Sequence, residues 1–135
     1  MRKVAAALGL LTLSACAPSG APSVCAAPLK PALEINLYFG RDKPAGGEVS
    51  EAEWASFVAE SVTPRFPAGL SVFDVEGQFR EPAGRIVRER TKLLVVVVFD
   101  APAHQATVSA VVEAYNRRFG QHSVFRVERP ACAGA

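Results

Sequence analysis

Residues 70–99 restrict the fold most, because they read as two long strands joined by one short turn. Strand-like alternation over residues 70–80 is followed by the turn sequence Glu81-Pro-Ala-Gly-Arg85 and by a second strand pattern over residues 86–99. Such a hairpin requires an antiparallel pair of strands. We expect Arg80 to lie opposite Ile86, a register in which Gln78 faces Arg88, Glu76 faces Arg90 and Asp74 faces Lys92.

Two helical patterns and two further strands complete a βαββαβ order. Residues 33–39 alternate between apolar and polar side chains, and residues 123–128 form the last strand. Ser50 and Glu53 predict a capping box at the start of the first helix, and the second helix is predicted between Asp100 and Gly120. This order indicates an α+β, ferredoxin-like sandwich, in which a four-stranded antiparallel sheet of order 4-1-3-2 carries both helices on one face.

Side chains alternate between the two faces of a sheet. We therefore assign the odd-numbered positions of all four strands to one face and the even-numbered positions to the other. The odd-numbered positions, such as Leu37 and Phe73, are apolar and are expected beneath the helices. The even-numbered face is polar at one end and apolar at the other, and a bare apolar patch of this kind is uncommon on a monomer. We therefore expect a homodimer packed sheet to sheet, with the tether or the C-terminal tail as the alternative cover. The expected contact residues are Leu70, Val72, Leu94, Val96 and Val98.

The N-terminus has the pattern of an export signal that ends in a lipidation site. Two basic residues precede an apolar stretch over residues 4–13, which is much shorter than the roughly 20 residues that span a membrane. Leu13-Ser14-Ala15-Cys16 then resembles a bacterial lipobox, so residues 1–15 are predicted to be a signal peptide and Cys16 to be acylated. Ordinary signal-peptide cleavage is the alternative. Acyl chains would attach the protein to a membrane, and Ala17 favours the outer membrane in a cell that has one.

Downstream of the signal we expect a tether, one folded domain and a short tail. Residues 16–32 are rich in Ala, Pro and Ser, residues 33–129 hold a single α+β domain, and residues 130–135 form the tail. Cys25 and Cys132 flank the domain, and an even number of cysteines in an exported chain favours a disulfide over two free thiols. The predicted sheet order agrees with this bond, because it places the start of the first strand beside the end of the last.

Charge and motif content exclude several classes of function. Loss of residues 1–15 removes two of the 15 basic residues and none of the 13 acidic ones, so the mature chain is formally neutral and we expect no nucleic-acid partner. His104 and His122 flank the second helix, about 27 Å apart along its axis, which is too far for one metal ion. We expect both histidines at the surface. The sequence carries no motif for a metal site, a cofactor or a catalytic nucleophile, and we expect none.

One group of polar side chains is suited to a small anionic ligand. If all even positions share one face, an amide, a phenol and several guanidinium groups lie near one another there. Arginine binds carboxylate and phosphate groups through paired hydrogen bonds. Plain ion pairs with Glu34, Glu76 and Glu128 are the alternative. The candidate ligand-binding residues are Asn36, Tyr38, Gln78, Arg88, Arg90 and Arg126.

Several short segments, spread over most of the folded part, form a combination typical of one protein family. They are Tyr38-Phe39-Gly40, Val49-Ser50 with Trp54 and Phe57, Thr63-Pro64-Arg65-Phe66-Pro67 with Gly69-Leu70, Gly77-Gln78-Phe79-Arg80, and Arg88-Glu89 with Lys92. With these segments the chain resembles a bacterial family of small exported proteins, domain-of-unknown-function family 3574, over about residues 34–127. The resemblance implies export and the predicted fold, and the family carries no assigned activity.

These features favour a lipid-anchored binding or assembly module that uses the open face of its sheet. A small enzyme, with a pocket formed on dimerisation around Tyr38 and Arg88 or Arg90, is the alternative, and it rests on analogy of fold alone. A structural protein of the cell envelope without a small ligand also fits the sequence.

Overall fold

The elements follow the predicted order, and two of the strands are longer than the sequence pattern indicates. The computed structural model describes residues 25–100 and 103–135. Its elements are β1 (Lys30–Gly40), α1 (Glu51–Phe57), a π-helical extension of α1 (Val58–Val62), β2 (Ser71–Arg80), β3 (Ile86–Val98), α2 (His104–Phe119) and β4 (Phe125–Ala133). The predicted signal peptide, Cys16 and the tether up to residue 24 lie outside the described residues. Among the described helices, none is both long enough and apolar enough to cross a membrane.

The four strands form one antiparallel sheet in the order β2-β3-β1-β4, as predicted. Ile35 and Leu37 of β1 and Leu94 of β3 point to the same face and are fully buried there. Trp54 of α1 and Tyr115 of α2 belong to the same buried cluster, so both helices pack on that face. The predicted α+β, ferredoxin-like sandwich is confirmed.

A disulfide joins the two ends of the domain. Cys25 and Cys132 are bonded, with their Cα atoms 5.6 Å apart, which confirms the predicted pairing. β1 begins at Lys30 and β4 runs to Ala133, because these two strands pair up to that point. The folded domain therefore extends beyond the predicted residues 33–129 at both ends, and most of the predicted tail belongs to β4.

The first helix starts as the sequence predicts. The Glu53 backbone N–H donates to the Ser50 hydroxyl at 3.2 Å, and the Ser50 N–H donates to the Glu53 carboxylate at 2.8 Å. These two bonds satisfy N–H groups that a helix N-terminus leaves without partners. Lys43 donates to the same carboxylate at 2.8 Å, and its hydrogen bond, together with those from Ser50, lowers the pKa of Glu53 to about 2.

The second helix begins later than predicted and ends where predicted. Asp100 does not cap it, since the helix begins at His104 and its N-cap residue, Ala103, makes no side-chain cap bond. Residues 101 and 102, which follow Asp100, lie outside the described residues. Gly120 ends the helix with a φ of 69°, a left-handed conformation that glycine adopts without steric cost.

An aromatic cluster between the sheet and the helices forms the centre of the core. The ring centroid of Phe39 lies 4.7 Å from that of Tyr115 and 5.3 Å from that of Trp54. The Tyr115 hydroxyl donates a hydrogen bond of 2.8 Å to the Gly40 carbonyl, which gives the buried phenol a partner. Burial raises the pKa of Tyr115 well above its ordinary value, so the phenol stays neutral. This contact fixes α2 against the end of β1.

The register between β1 and β3 corrects the predicted faces of the sheet. Ile35 pairs with Val96, so the odd positions of β1 share the helix-covered face with the even positions of β2, β3 and β4. The prediction that all odd positions form the core was wrong. It assumed that the odd positions of all four strands share one face, whereas the odd positions of β1 pair with even positions of β3 and β4. The odd positions of β2, β3 and β4, together with the even positions of β1, lie on the side of the sheet without helices. We call this side the open face. Its apolar residues in β2, β3 and β4 include Phe73, Val75, Phe79, Leu93, Val95, Val97, Phe125 and Val127.

The residues predicted to contact a second copy lie mostly inside the chain. Leu94 and Val96 are 0% and 1% exposed beneath the helices, and Leu70 and Val98 pack against the same core. Val72, on the edge strand β2, also belongs to the helix-covered face. This set of dimer contacts was therefore wrong, because an open apolar face exists but on the other side of the sheet.

The β2–β3 hairpin has the predicted register. Arg80 lies opposite Ile86, and the three predicted polar or charged pairs face each other. Lys92, whose side chain is buried, binds Asp74 of β2 at 2.5 Å and Glu51 of α1 at 2.7 Å. The charges that favour the register therefore also tie the hairpin to the first helix.

Loss of the disulfide should lower the stability strongly. We expect the double variant Cys25→Ser/Cys132→Ser to lose about 2–5 kcal/mol of the free energy of unfolding, because the bond joins residues 107 positions apart and restricts the unfolded chain. Urea denaturation followed by circular dichroism measures this loss. Cys16→Ser, which leaves the bond intact, is the control, and an unchanged urea midpoint in the double variant would contradict the expectation.

Lys92 should make the protein sensitive to acid. Its hydrogen bonds lower the pKa values of Glu51 and Asp74 below their ordinary 4.5 and 3.8. The stability they supply is therefore complete above those values and is lost as pH falls through the lowered ones. We expect Lys92→Met to flatten the fall in the free energy of unfolding between about pH 5 and pH 2. Lys30→Met, at an exposed lysine, is the control and should keep the slope, which urea denaturation across this range measures.

Candidate functional site

The open face exposes large aromatic side chains. Phe73 and Phe79 of β2 are each 53% exposed, and Phe125 of β4 is 69% exposed. Phe125 packs against Tyr38 of β1, with the ring centroids 5.7 Å apart. Contiguous exposed apolar surface of this kind marks an interaction site on soluble proteins.

A cleft of about 800 Å³ lies at one end of the open face, beside the β2–β3 hairpin. Tyr38, Phe79 and Phe125 contribute aromatic rings to its lining, and Glu89 and Thr91 of β3 lie between them. The turn between α2 and β4 forms the remaining wall. Volumes of about 300–1,000 Å³ are usual for small-molecule sites, so the cleft is large enough to hold a ligand.

Two glycines flank Glu89 on the sheet surface, and one of them, Gly40, makes room for its carboxylate. Gly77 of β2 lies directly opposite Glu89, and Gly40 of β1 approaches it from the other side. A Cβ atom on Gly40 would lie 2.3 Å from Glu89 Oε1, so any other residue there would displace the carboxylate. Glycine within a strand commonly marks a close approach of this kind. The carboxylate therefore occupies a niche that the neighbouring strands leave open.

Glu89 is partly buried and has no basic partner among residues 25–100 and 103–135. Its Oε1 accepts one long hydrogen bond, 3.4 Å, from the Asp42 backbone N–H. Burial raises the pKa of Glu89 above its ordinary value, and repulsion by the Asp42 carboxylate raises it further. The hydrogen bond from the Asp42 N–H lowers the pKa but does not cancel these two effects. A partly desolvated carboxylate gains more free energy from a proton or a cation than an exposed one does.

The turn after α2 brings a histidine to the cleft. Gln121 donates from Nε2 to the Asp42 carbonyl at 2.7 Å, which holds this turn against the loop that follows β1. His122, the next residue, is exposed and contributes to the lining. The cleft thus combines aromatic rings, one carboxylate on the sheet and an imidazole at its wall.

Two of the six predicted ligand-binding residues lie on the open face. Tyr38 lines the cleft, as described above. Asn36 is only 7% exposed, and its Nδ2 donates to Glu34 Oε1 at 2.8 Å. Arg129 binds the same oxygen at 2.6 Å. The Asn36 amide is therefore engaged within the chain.

The other four predicted residues occupy positions of the helix-covered face, so the structure does not bring the six together. Of these four, only Gln78 contributes to the lining of the cleft. Within one chain, strand pairing sends Tyr38 and the two arginines Arg88 and Arg90 to opposite sides of the sheet. The pocket that was predicted to form around them on dimerisation stays a prediction. Anion binding by the arginines stays a prediction. Their present partners are Gln78 for Arg88 at 3.0 Å, Glu48 for Arg90 at 3.3 Å, and Gln105 at 2.9 Å together with Glu128 for Arg126.

The two histidines lie in different surroundings. His104 is only 5% exposed, so its expected surface position was wrong, and its Nε2 lies 3.4 Å from Glu128 Oε1. The turn after α2 leaves His122 exposed, as expected. In the part of the chain that the structure describes, no three His, Cys, Asp or Glu side chains are grouped so that they could hold a metal ion.

Glu89 and its flanking glycines were not predicted as site residues. Gly77 interrupts a strand pattern, which is a known signal of close approach, whereas Gly40 reads as the start of a loop. Neither signal identifies Glu89, because only the pairing of three strands places it between both glycines. Arg41 was also missed: it is 3% exposed and donates twice to the Val49 carbonyl, at 2.6 and 2.8 Å, which indicates a structural role.

Solved structures with a similar fold have sequences very different from this one. A phage SAM lyase in complex with S-methyl-5'-thioadenosine has a TM-score of 0.58 and 13% identity, over 77% of this chain and 90% of that chain. A phage SAM lyase in the apo state has a TM-score of 0.52 and 16% identity, over 73% and 79% of the two chains. CutA from Synechococcus elongatus has a TM-score of 0.48 and 13% identity, over 75% and 78%. At this level of identity, the likeness to the two lyase structures shows the fold alone.

The sequence identifies the family. No curated protein matches the chain. A family model described as "Protein of unknown function (DUF3574)" matches residues 34–134, which include nearly the whole sheet and both helices. The resemblance noted in the sequence is thereby confirmed, and the chain belongs to the DUF3574 family of proteins of unknown function.

Proposed function

We propose that this protein is an exported, lipid-anchored module that assembles with a second copy of the same chain through the open face of its sheet. The observation that carries the proposal is the exposure of Phe73, Phe79 and Phe125 on a face that no helix covers. Aromatic side chains are enriched in protein interfaces, where they contribute much of the binding free energy.

The distribution of charge on the open face supports a protein partner. Lys30, Glu34 and Arg129 lie toward the end where β1 starts, and Glu89 lies toward the other end. The strand residues of this face between them are uncharged. Protein interfaces have the same arrangement, because charged residues are depleted at the centre and kept at the rim.

The size of the open face suits a dimer. The four strands have 11, 10, 13 and 9 residues, and at about 4.8 Å between strands and about 3.3 Å per residue they cover on the order of 700 Å² in projection. Accessible area exceeds projected area, because side chains stand out from the sheet, and a standard interface buries about 800 Å² per partner. Two copies that use the same face form a two-fold interface, the commonest arrangement in soluble homo-oligomers.

The proposed location rests on the sequence and on the disulfide. The apolar stretch over residues 4–13 and the lipobox ending at Cys16 support export and acylation. The bond between Cys25 and Cys132 suits an oxidising compartment outside the cytosol. More than one acyl chain would hold the protein stably on a membrane, and Ala17 favours the outer membrane where there is one.

Acylation at Cys16 should be required for membrane attachment. We expect the full chain with Cys16→Ser to be absent from the membrane fraction of an expressing bacterium, because the lipobox then has no thiol that can carry the acyl chains. Membrane fractionation and the intact mass of the mature protein measure this. Ser19→Ala, which keeps both Cys16 and the disulfide, is the matched control and should stay with the membrane. Membrane retention of Cys16→Ser would contradict the proposal.

A charge placed on the open face should separate the dimer. We expect the exported chain with Cys16→Ser to sediment as a dimer, and the additional change Phe73→Glu to weaken dimerisation by at least about 30-fold, because a carboxylate would be buried in an apolar interface. Ile86→Glu is the matched control. This residue is 58% exposed and lies on the helix-covered face, so its change should leave the dimer intact.

Sedimentation velocity distinguishes the possible results. A monomeric parent protein at micromolar concentration would overturn the proposed assembly. Equal weakening by Phe73→Glu and Ile86→Glu would show that the dimer does not use the open face. Circular dichroism of both variants checks that each is folded.

A further inference from the structure

We infer that the cleft is a binding site for a small organic cation with an apolar body, such as an amine that carries an aromatic or aliphatic group, and that Glu89 is its counter-ion. This inference goes beyond the proposed assembly and is tested separately from it, because Phe79 and Phe125 of the cleft also belong to the open face that a second copy would cover. The charge of this ligand is opposite to that predicted from the sequence, which indicated an anion.

The charge of the cleft selects a cation. Its lining, within the described part of the chain, contains no Lys and no Arg. Glu89 lies on the open face, whereas the other acidic residue in the lining, Glu76, occupies a position whose side chain belongs to the opposite face. A bound anion would be repelled by Glu89 without meeting a guanidinium or an ammonium group, and a bound cation would be attracted.

The surroundings of Glu89 favour a ligand as its partner. The carboxylate lies against Gly40 and accepts one long hydrogen bond, 3.4 Å, from the Asp42 N–H. Partial burial costs it hydration, and no basic side chain of the described residues restores that loss. An ammonium group that reaches the carboxylate would recover this free energy through a charge-assisted hydrogen bond.

The aromatic lining suits both the apolar body and the charge of such a ligand. Tyr38 and Phe125 are in contact, and Phe79 is half exposed on the neighbouring wall. The face of an aromatic ring attracts a cation within about 6 Å, and the same rings bury apolar groups. A metal ion fits less well, because residues 25–100 and 103–135 hold no cluster of three potential ligands.

Three probes of nearly equal size test the inference at neutral pH. Benzylamine is a cation, benzyl alcohol is neutral and benzoate is an anion, so they differ mainly in charge. Each is titrated into the exported chain with Cys16→Ser and Phe73→Glu, in which no second copy should cover the cleft, and the dissociation constant is read from shifts of aromatic resonances in nuclear magnetic resonance spectra. We expect benzylamine to bind about tenfold more tightly than benzyl alcohol, and benzoate to bind most weakly.

Glu89→Gln separates the role of the charge from the role of the shape. The substitution keeps the size of the side chain, and we expect it to weaken benzylamine about tenfold, equivalent to about 1.4 kcal/mol, and to remove its advantage over benzyl alcohol. Glu113→Gln is the matched control. It neutralises an exposed carboxylate of α2 that is not part of the cleft, so it should change neither affinity.

Four results would overturn the inference. They are equal binding of benzylamine and benzyl alcohol, an unchanged affinity in Glu89→Gln, an equal loss in Glu113→Gln, and no binding of benzylamine up to about 10 mM, where a fragment of this size should occupy a suitable site. Phe73→Glu keeps this test separate from the test of assembly, because Phe73 does not line the cleft and the change is present in every protein that is titrated.

Discussion

The pairing of β1 with β3 is the constraint on which the rest of the structure depends. Because Ile35 lies opposite Val96, the apolar side of β1 and the even positions of β3 are buried together under the helices. A shift of one residue would exchange the two faces of β3. Residues 93–98 are apolar on both sides of the strand, so covering one side leaves the other exposed. The open face that we propose as an interface is therefore a direct result of a strand with two apolar sides and helices on only one of them.

The cleft also arises from strand pairing and not from any single segment. Gly40 and Gly77 belong to different strands, and they flank Glu89 because β3 lies between β1 and β2. The same order brings the aromatic rings of β1, β2 and β4 to the sides of this carboxylate. Helix α2 completes the arrangement, since Tyr115 fixes it to the end of β1 and the turn after it forms the remaining wall.

Charged residues have two different roles in this protein. Lys92 is buried with two carboxylates as close partners, so its charge is compensated within the fold and links the hairpin to α1. The hairpin residues Arg88 and Arg90 likewise have polar partners in the chain. Glu89 lies on the same strand, but it points to the other face and has no basic partner among the described residues. This contrast is why we place ligand binding at the carboxylate and treat the hairpin charges as structural.

The sequence by itself determined the order of the elements, the capping box at Ser50, the end of α2 at Gly120, the disulfide and the register of the hairpin. The disulfide follows from the two cysteines that remain in an exported chain once Cys16 is acylated. Each of the other features depends on local signals or on a short turn that allows only a few pairings. Only the tertiary structure decided which faces share a side of the sheet, and with them the buried Leu94, the exposed Phe73 and the niche of Glu89. The register of β1 with β3 joins distant segments without a connecting turn, and β3 is apolar on both sides. The hydrophobic pattern of β3 is therefore compatible with burial of either face, and packing against the helices determines which face is buried.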